Sequence, residues 1–128
     1  MVENSSNRMD LHWNKNLLDL HKLVEVSRGD ADRMLRYLNQ FQELIPTRTS
    51  LLRKYLTNMD RKMIRQTIHQ MSPQLHFFGL PDVRDPIERI ENEYETIPIE
   101  ELKSLSLQMI DQLEAAKSEI DRIVQDNF

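Results

Sequence analysis

The chain has no cysteine, only 2 glycines and only 1 tryptophan in 128 residues. Without cysteine it has no disulfide, no thiolate nucleophile and no cysteine-ligated metal, and it is compatible with a reducing cytosol. So few glycines exclude a glycine-rich phosphate loop. They also combine with the scarcity of β-branched runs to argue for an all-α protein. No apolar run is long enough to span a membrane, and Met1 to Ser6 is polar where a signal peptide would be apolar. A soluble, cytoplasmic protein is the expectation, and the Met start with its polar arm suggests a free-standing one. The net charge of −4 is mild and argues against nucleic acid as the main partner. There is no internal repeat and no low-complexity tract. The length suits one domain with a single core.

Residues 1–10 are polar without periodicity; the flexible N-terminal arm is placed at 1–14 and the helical domain at 15–128. Leu11, Trp13, Leu17, Leu18, Leu20, Leu23 and Val24 mark a first helix over roughly 15–26. Gly29 suits a C-terminal cap and Asp30 the next N-cap. The Arg28-Gly29-Asp30 triplet is thus an ordinary helix break rather than an adhesion motif. A long helix follows, with Met34, Leu38, Phe41 and Ile45 as its apolar stripe. Pro46 removes a donor and clashes with the preceding turn, which predicts a kink or a break before the helix resumes to about Thr57. Asp60 is placed to cap the central helix.

That central helix, Ile64 to Leu80, organises the rest. At 100° per residue, Ile64, Ile68, Met71, Leu75 and Phe78 fall within about 80° of one another and form a core-facing stripe. His69 lies about 140° from the centre of that stripe. Arg65, Ser72 and His76 lie on the flank between the two, and Lys62 just past His69. Phe77 projects about 80° from His69, either against the N-terminal helix or into an apolar docking patch. Asp85-Pro86-Ile87-Glu88 reads as the start of a short helix with Asp85 as its cap and apolar face Val83, Ile87, Ile90 and Tyr94. The last helix starts at Ile97-Pro98 and runs to about Val124. Its seam of Leu102, Leu105, Met109, Leu113, Ala116, Ile120 and Ile123 suits an antiparallel four-helix bundle.

The stretch around His69 resembles the phosphorylatable helix of histidine-containing phosphotransfer (HPt) domains, the phosphocarriers of two-component relays. That pattern has an apolar residue two positions after the histidine, a lysine three after, a glycine four after and a further glycine ten after. His69, Met71 and Gly79 fit it. Ser72 stands in place of the lysine and Pro73 in place of the nearer glycine. Leu18 to Asp30 resembles the family's N-terminal helix and turn, and Asn58 to His69 its approach to the histidine. The resemblance spans roughly Asn16 to Val124.

The resemblance implies an antiparallel four-helix bundle with an additional N-terminal helix. It implies that His69 accepts a phosphoryl group on Nε2 from a receiver-domain aspartate and passes it to another receiver. Receiver domains of a hybrid sensor histidine kinase and a response regulator are the partners it implies. This chain then binds no cofactor of its own, the receiver supplies Mg²⁺, and there is no autonomous kinase activity. Arg65 or Lys62 would replace the missing lysine. Gln66, Ser72, Pro73 and His76 would support the phosphate or the docking. Pro73, whose ring meets the carbonyl of His69, predicts a small bend convex toward solvent.

Simpler readings stand beside these. His76 is taken as a spectator. The spacing of His69 and His76, seven residues apart, is unlike the i, i+4 pairs of helical metal sites. His12 and His21 are taken as surface residues. The sequence clusters Arg48, Arg53, Lys54, Arg61, Lys62 and Arg65 mid-chain, either as a solvated face or as a complement to an acidic receiver pocket. No nucleophile stands with a base beside it, which leaves hydrolytic or metal catalysis remote. A monomer is expected. The alternatives are an HPt-like adaptor that binds a receiver or kinase without being phosphorylated, and a plain helical interaction module.

Overall fold

The computed structural model describes residues 9–128. They form five helices: α1 (His21–Ser27), α2 (Ala31–Thr57), α3 (Arg61–Phe77), α4 (Arg84–Glu93) and α5 (Ile99–Asn127). No β-strand occurs among the described residues. Helices α2 to α5 make the antiparallel bundle, and α1 is the additional short N-terminal helix. No described helix is long and apolar enough to cross a membrane.

One core runs through the bundle. Met34, Leu38, Ile45 and Leu52 of α2 are buried with Ile64, Ile68, Met71 and Leu75 of α3. Ile87 and Ile90 of α4 complete it with the α5 seam of Leu102, Met109, Leu113, Ala116, Ile120 and Ile123. Leu105 is only partly buried, and Ser106 takes the adjoining buried place. This continuous apolar face is the chief source of stability for helices of this length.

Local signals set the helix ends. The Asp30 carboxylate accepts the Arg33 N–H at 3.0 Å, and Asp60 accepts the Met63 N–H at 3.2 Å. Each N-cap satisfies a donor that the helix itself leaves open. After α3, the Leu80 N–H reaches Leu75 O and the Gly79 N–H reaches His76 O, the paired bonds of a Schellman closure.

Several expectations need correction. The first helix begins at His21, not near residue 15, and residues 15–17 form a turn. The reason is packing: the Asp19 N–H bonds Phe78 O at 3.0 Å, which draws this segment onto the end of α3 in an open conformation. Of the flexible arm expected at 1–14, residues 1–8 lie outside the described residues. Residues 9–14 are anchored: the Met9 N–H donates to Gly29 O, Leu11 is buried, and the Asn14 N–H donates to Glu119 Oε2 at 2.7 Å. Finally, Asp85 does not cap α4. That helix starts at Arg84, with Val83 in the cap position and no side-chain cap.

Pro46 neither ends nor interrupts α2. Its ring lies on the exposed side, while Ile45, Thr49 and Leu52 hold the opposite face in the core. Burial along both flanking segments outweighs the roughly 3 kcal/mol that proline costs inside a helix.

Candidate functional site

Helix α3 presents two faces. Ile64, Ile68, Met71 and Leu75 are completely buried. The opposite face carries His69, whose side chain is 62% exposed. Its Nδ1 lies 2.9 Å from Oε1 of Glu91, a largely buried carboxylate on the last turn of α4. An ionised carboxylate only accepts, so this bond places the ring proton on Nδ1. The lone pair of the neutral imidazole is then on Nε2, on the open side of the ring.

Arg65, one turn before His69, is turned to the same neighbour. Its Nε donates to the Glu91 carbonyl at 3.3 Å, and its guanidinium carbon lies 5.5 Å from the centre of the Tyr94 ring. Tyr94 is therefore a half-buried platform for a cation as well as part of the apolar face. Lys62 and Gln66 are exposed on the His69 side of α3. Ser72 is half-buried, and Pro73 and His76 are exposed. The helix runs without interruption through Pro73, whose ring sits on the solvent side. That placement leaves water to serve the His69 carbonyl that proline deprives of a donor.

Gly79 is both the cap and a close-packing point. Its φ is +63°, and a β-carbon added there would lie 2.6 Å from the Asp19 β-carbon and 2.7 Å from the Asp19 carbonyl oxygen. Only glycine allows the N-terminal segment to cross the end of α3 this closely.

Phe77 contributes to an apolar cleft. Its ring lies 5.3 Å from Tyr37 and 5.2 Å from Phe78. Together with Phe41, Leu44 and Pro73 these rings line a cleft of about 500 Å³ between α2 and α3. Tyr37 and Gln40 also line a neighbouring hollow bordered by Arg33 and Arg36.

The basic run of the sequence does not become one patch. Arg53 pairs with Glu114 at 2.8 Å. Arg61 donates to the carbonyls of Tyr94 and Ile97 and clamps the α4–α5 turn. Arg48 donates to Gln70 Oε1 at 2.7 Å. Neither Glu91 nor Gln70 is marked by any spacing in the sequence. The only hint of Glu91 is that it flanks the Ile87–Ile90 face of α4. No group of 3 or more His, Asp or Glu side chains among the described residues is arranged to hold a metal ion.

No family model and no curated protein matches the sequence. Among solved structures, the chain is similar to the HPt domain of a sensor hybrid histidine kinase from Shewanella, with a TM-score of 0.74 and 18% identity. The match covers 88% of this chain and 97% of that one. A TM-score and coverage this high show that the chain has the fold of a histidine-containing phosphotransfer domain.

Proposed function

We propose that the chain is a phosphocarrier in which His69 accepts a phosphoryl group from a receiver-domain aspartyl phosphate and returns it to the aspartate of another receiver. The observation that carries this reading is the His69–Glu91 pair: an exposed imidazole on a rigid helix, with Nδ1 occupied and Nε2 open.

The chemistry follows from that pair. The Nε2 lone pair attacks phosphorus in line, the new N–P bond forms, and the P–O bond to the aspartyl oxygen breaks. The receiver's carboxylate leaves with the electron pair. The imidazole becomes positively charged as the N–P bond forms, because Nδ1 keeps its proton. The Glu91 carboxylate at 2.9 Å offsets that charge. Positioning and charge stabilisation dominate phosphoryl transfer, and a rigid helix supplies the first. The receiver brings Mg²⁺ and the remaining catalytic groups. The chain itself acts as a covalent intermediate without kinase activity. The receivers belong to a hybrid sensor kinase upstream and a response regulator downstream. The apolar cleft of Tyr37, Phe41, Leu44 and Phe77, beside Pro73, is the docking face that lies nearest along α3.

A second reading, an adaptor that binds receivers without accepting phosphate, draws on Ser72 and Pro73. Ser72 provides a hydroxyl but no charge three residues after the histidine. One experiment separates the two. The protein is mixed with receiver domains already charged on aspartate, and acid-labile, alkali-stable phosphate is followed on this chain, with His69→Gln beside it. Label on the native chain and none on the variant supports the carrier. Receiver binding without label supports the adaptor, and label persisting in the variant moves the site to His76.

A further inference from the structure

The phosphocarrier reading requires a cation near the phosphoryl oxygens, and α3 has none in the useful direction. Side chains on a helix tilt toward its N-terminus. A long cationic side chain three or four residues after His69 would lean back over the imidazole. Ser72 and Pro73 occupy those positions. Arg65 and Lys62 precede His69, so their tilt carries them away from it. Arg65 is in addition held by the Glu91 carbonyl and the Tyr94 ring, on the α4 side.

The other side of His69 is different. Gln70, the next residue, is turned about 100° around the helix toward α2. Its Oε1 accepts from Arg48 Nη1 at 2.7 Å. Arg48 is half-buried, its Nε is buried without a partner, and no carboxylate among the described residues pairs with it. A guanidinium whose Nε is buried without a partner and whose Nη1 rests on a neutral amide has no anion beside it. The two flanks of His69 are thus unlike: a carboxylate on the α4 side holds Nδ1, and an uncompensated cation lies on the α2 side. Nδ1 and Nε2 diverge across the ring, so occupation of Nδ1 from α4 turns Nε2 away from α4.

We infer that Arg48, supplied by α2, is the phosphate-binding cation of this site, taking the role that a lysine three residues after the histidine would otherwise have. The inference rests on the phosphocarrier reading. On phosphorylation of Nε2 the guanidinium exchanges the Gln70 oxygen for phosphoryl oxygens. Gln70 is the residue that parks it beforehand. The planar donor fork suits two oxygens of one phosphoryl group, which a lysine ammonium does not match.

The test uses the full chain and phosphoramidate, a small phosphoryl donor that needs no receiver. Native protein, His69→Gln, Arg48→Gln and Arg48→Lys are charged, and phosphorus NMR follows the rate of labelling and the titration of the phosphoryl group. Arg48→Gln keeps a side chain able to bond Gln70 and removes only the charge. Circular dichroism checks that each variant is folded. The expected result is labelling slowed on the order of tenfold in Arg48→Gln, the loss of one charge-assisted hydrogen bond. The phosphoryl titration moves to higher pH in that variant, because the cation favours the dianion. Arg48→Lys restores part of both. A merely structural role for Arg48 would leave the titration unmoved, and an unmoved titration in labelled, folded Arg48→Gln overturns the assignment. Native protein that takes no label at His69 from phosphoramidate or from charged receivers overturns the phosphocarrier reading itself, and Arg48 with it.

Discussion

The His69 imidazole and the Glu91 carboxylate meet at 2.9 Å across the seam between α3 and α4, although 22 residues separate them. The contact sets the tautomer of the exposed ring and, on the phosphocarrier reading proposed above, places a negative charge where a phosphoimidazole would become positive. Glu91→Ala removes both effects. It should slow phosphoryl acceptance from a charged receiver by about tenfold to a hundredfold, the loss of one hydrogen bond to a charged group. Glu91→Gln keeps an acceptor oxygen and loses the charge, so its rate should fall between the two. Rapid-quench measurement of label on His69 checks the order native, Gln, Ala. Equal rates in all three would remove Glu91 from the mechanism.

Gly79 and Asp19 define the other fixed point of the site. Gly79→Ala adds a β-carbon 2.6 Å from that of Asp19 at a residue with φ of +63°. The left-handed backbone alone costs a non-glycine residue about 1–2 kcal/mol. The clash involves Asp19 backbone and cannot be relieved by a side-chain rotation. Urea unfolding should therefore show a loss of at least about 2 kcal/mol in stability. Phosphorylation of the protein that remains folded should be little changed, since His69 lies almost three turns away. A stability change within experimental error would mean that the N-terminal crossing can yield.

The parts of this fold that were legible in the sequence are those written in local chemistry. Asp30 and Asp60 announce two helix starts, Gly79 announces one end, and the 3-4 spacing of Ile64, Ile68, Met71 and Leu75 separates the core face from His69. The parts that were not legible depend on neighbours far along the chain. Nothing near residue 15 says that Asp19 must bond Phe78 before a helix can begin at His21. Pro46 argues locally for a break, and only the burial of Ile45, Thr49 and Leu52 overrules it. In the same way His69 was visible from its own helix, while its hydrogen-bond partner Glu91 comes from α4.

Acid should loosen the N-terminal segment through Glu119. Two donors of Arg122 hold the Glu119 carboxyl below its ordinary value of 4.5; burial opposes them and the Asn14 N–H assists. A lowered folded-state pKa means that the bond's contribution is complete above the unfolded value. It is lost as pH falls through the folded one. As pH falls below the ordinary carboxylate range, residues 9–14 should therefore release from α5. Trp13 reports this, since its ring lies 5.0 Å edge-on from His21. The Asp19 carboxyl is also held below its ordinary value, chiefly by the His21 backbone N–H, and acts in the same direction. Glu119→Gln separates them: it should already weaken the anchoring at neutral pH and flatten the acid change in Trp13 fluorescence. An unaltered acid profile in that variant would assign the change to Asp19 instead.

Pro73 gives the sharpest division between stability and function. It stands in the interior of α3, exposed, at the mouth of the α2–α3 cleft. Proline in a helix interior is about 3 kcal/mol worse than alanine, and an exposed position leaves little packing to set against that. Pro73→Ala should therefore raise stability, by about 1–3 kcal/mol in urea unfolding. It also removes a rigid apolar ring four residues after His69, on the side where Phe77 and Tyr37 open toward solvent. If receivers dock there, the more stable variant should bind a charged receiver several-fold more weakly, while phosphoramidate, which needs no docking face, should label His69 at the native rate. Weaker receiver transfer with unchanged small-molecule labelling would place Pro73 in the interface. Slower labelling by both donors would instead place it in the geometry of the histidine itself, acting through the carbonyl that its ring leaves without a donor.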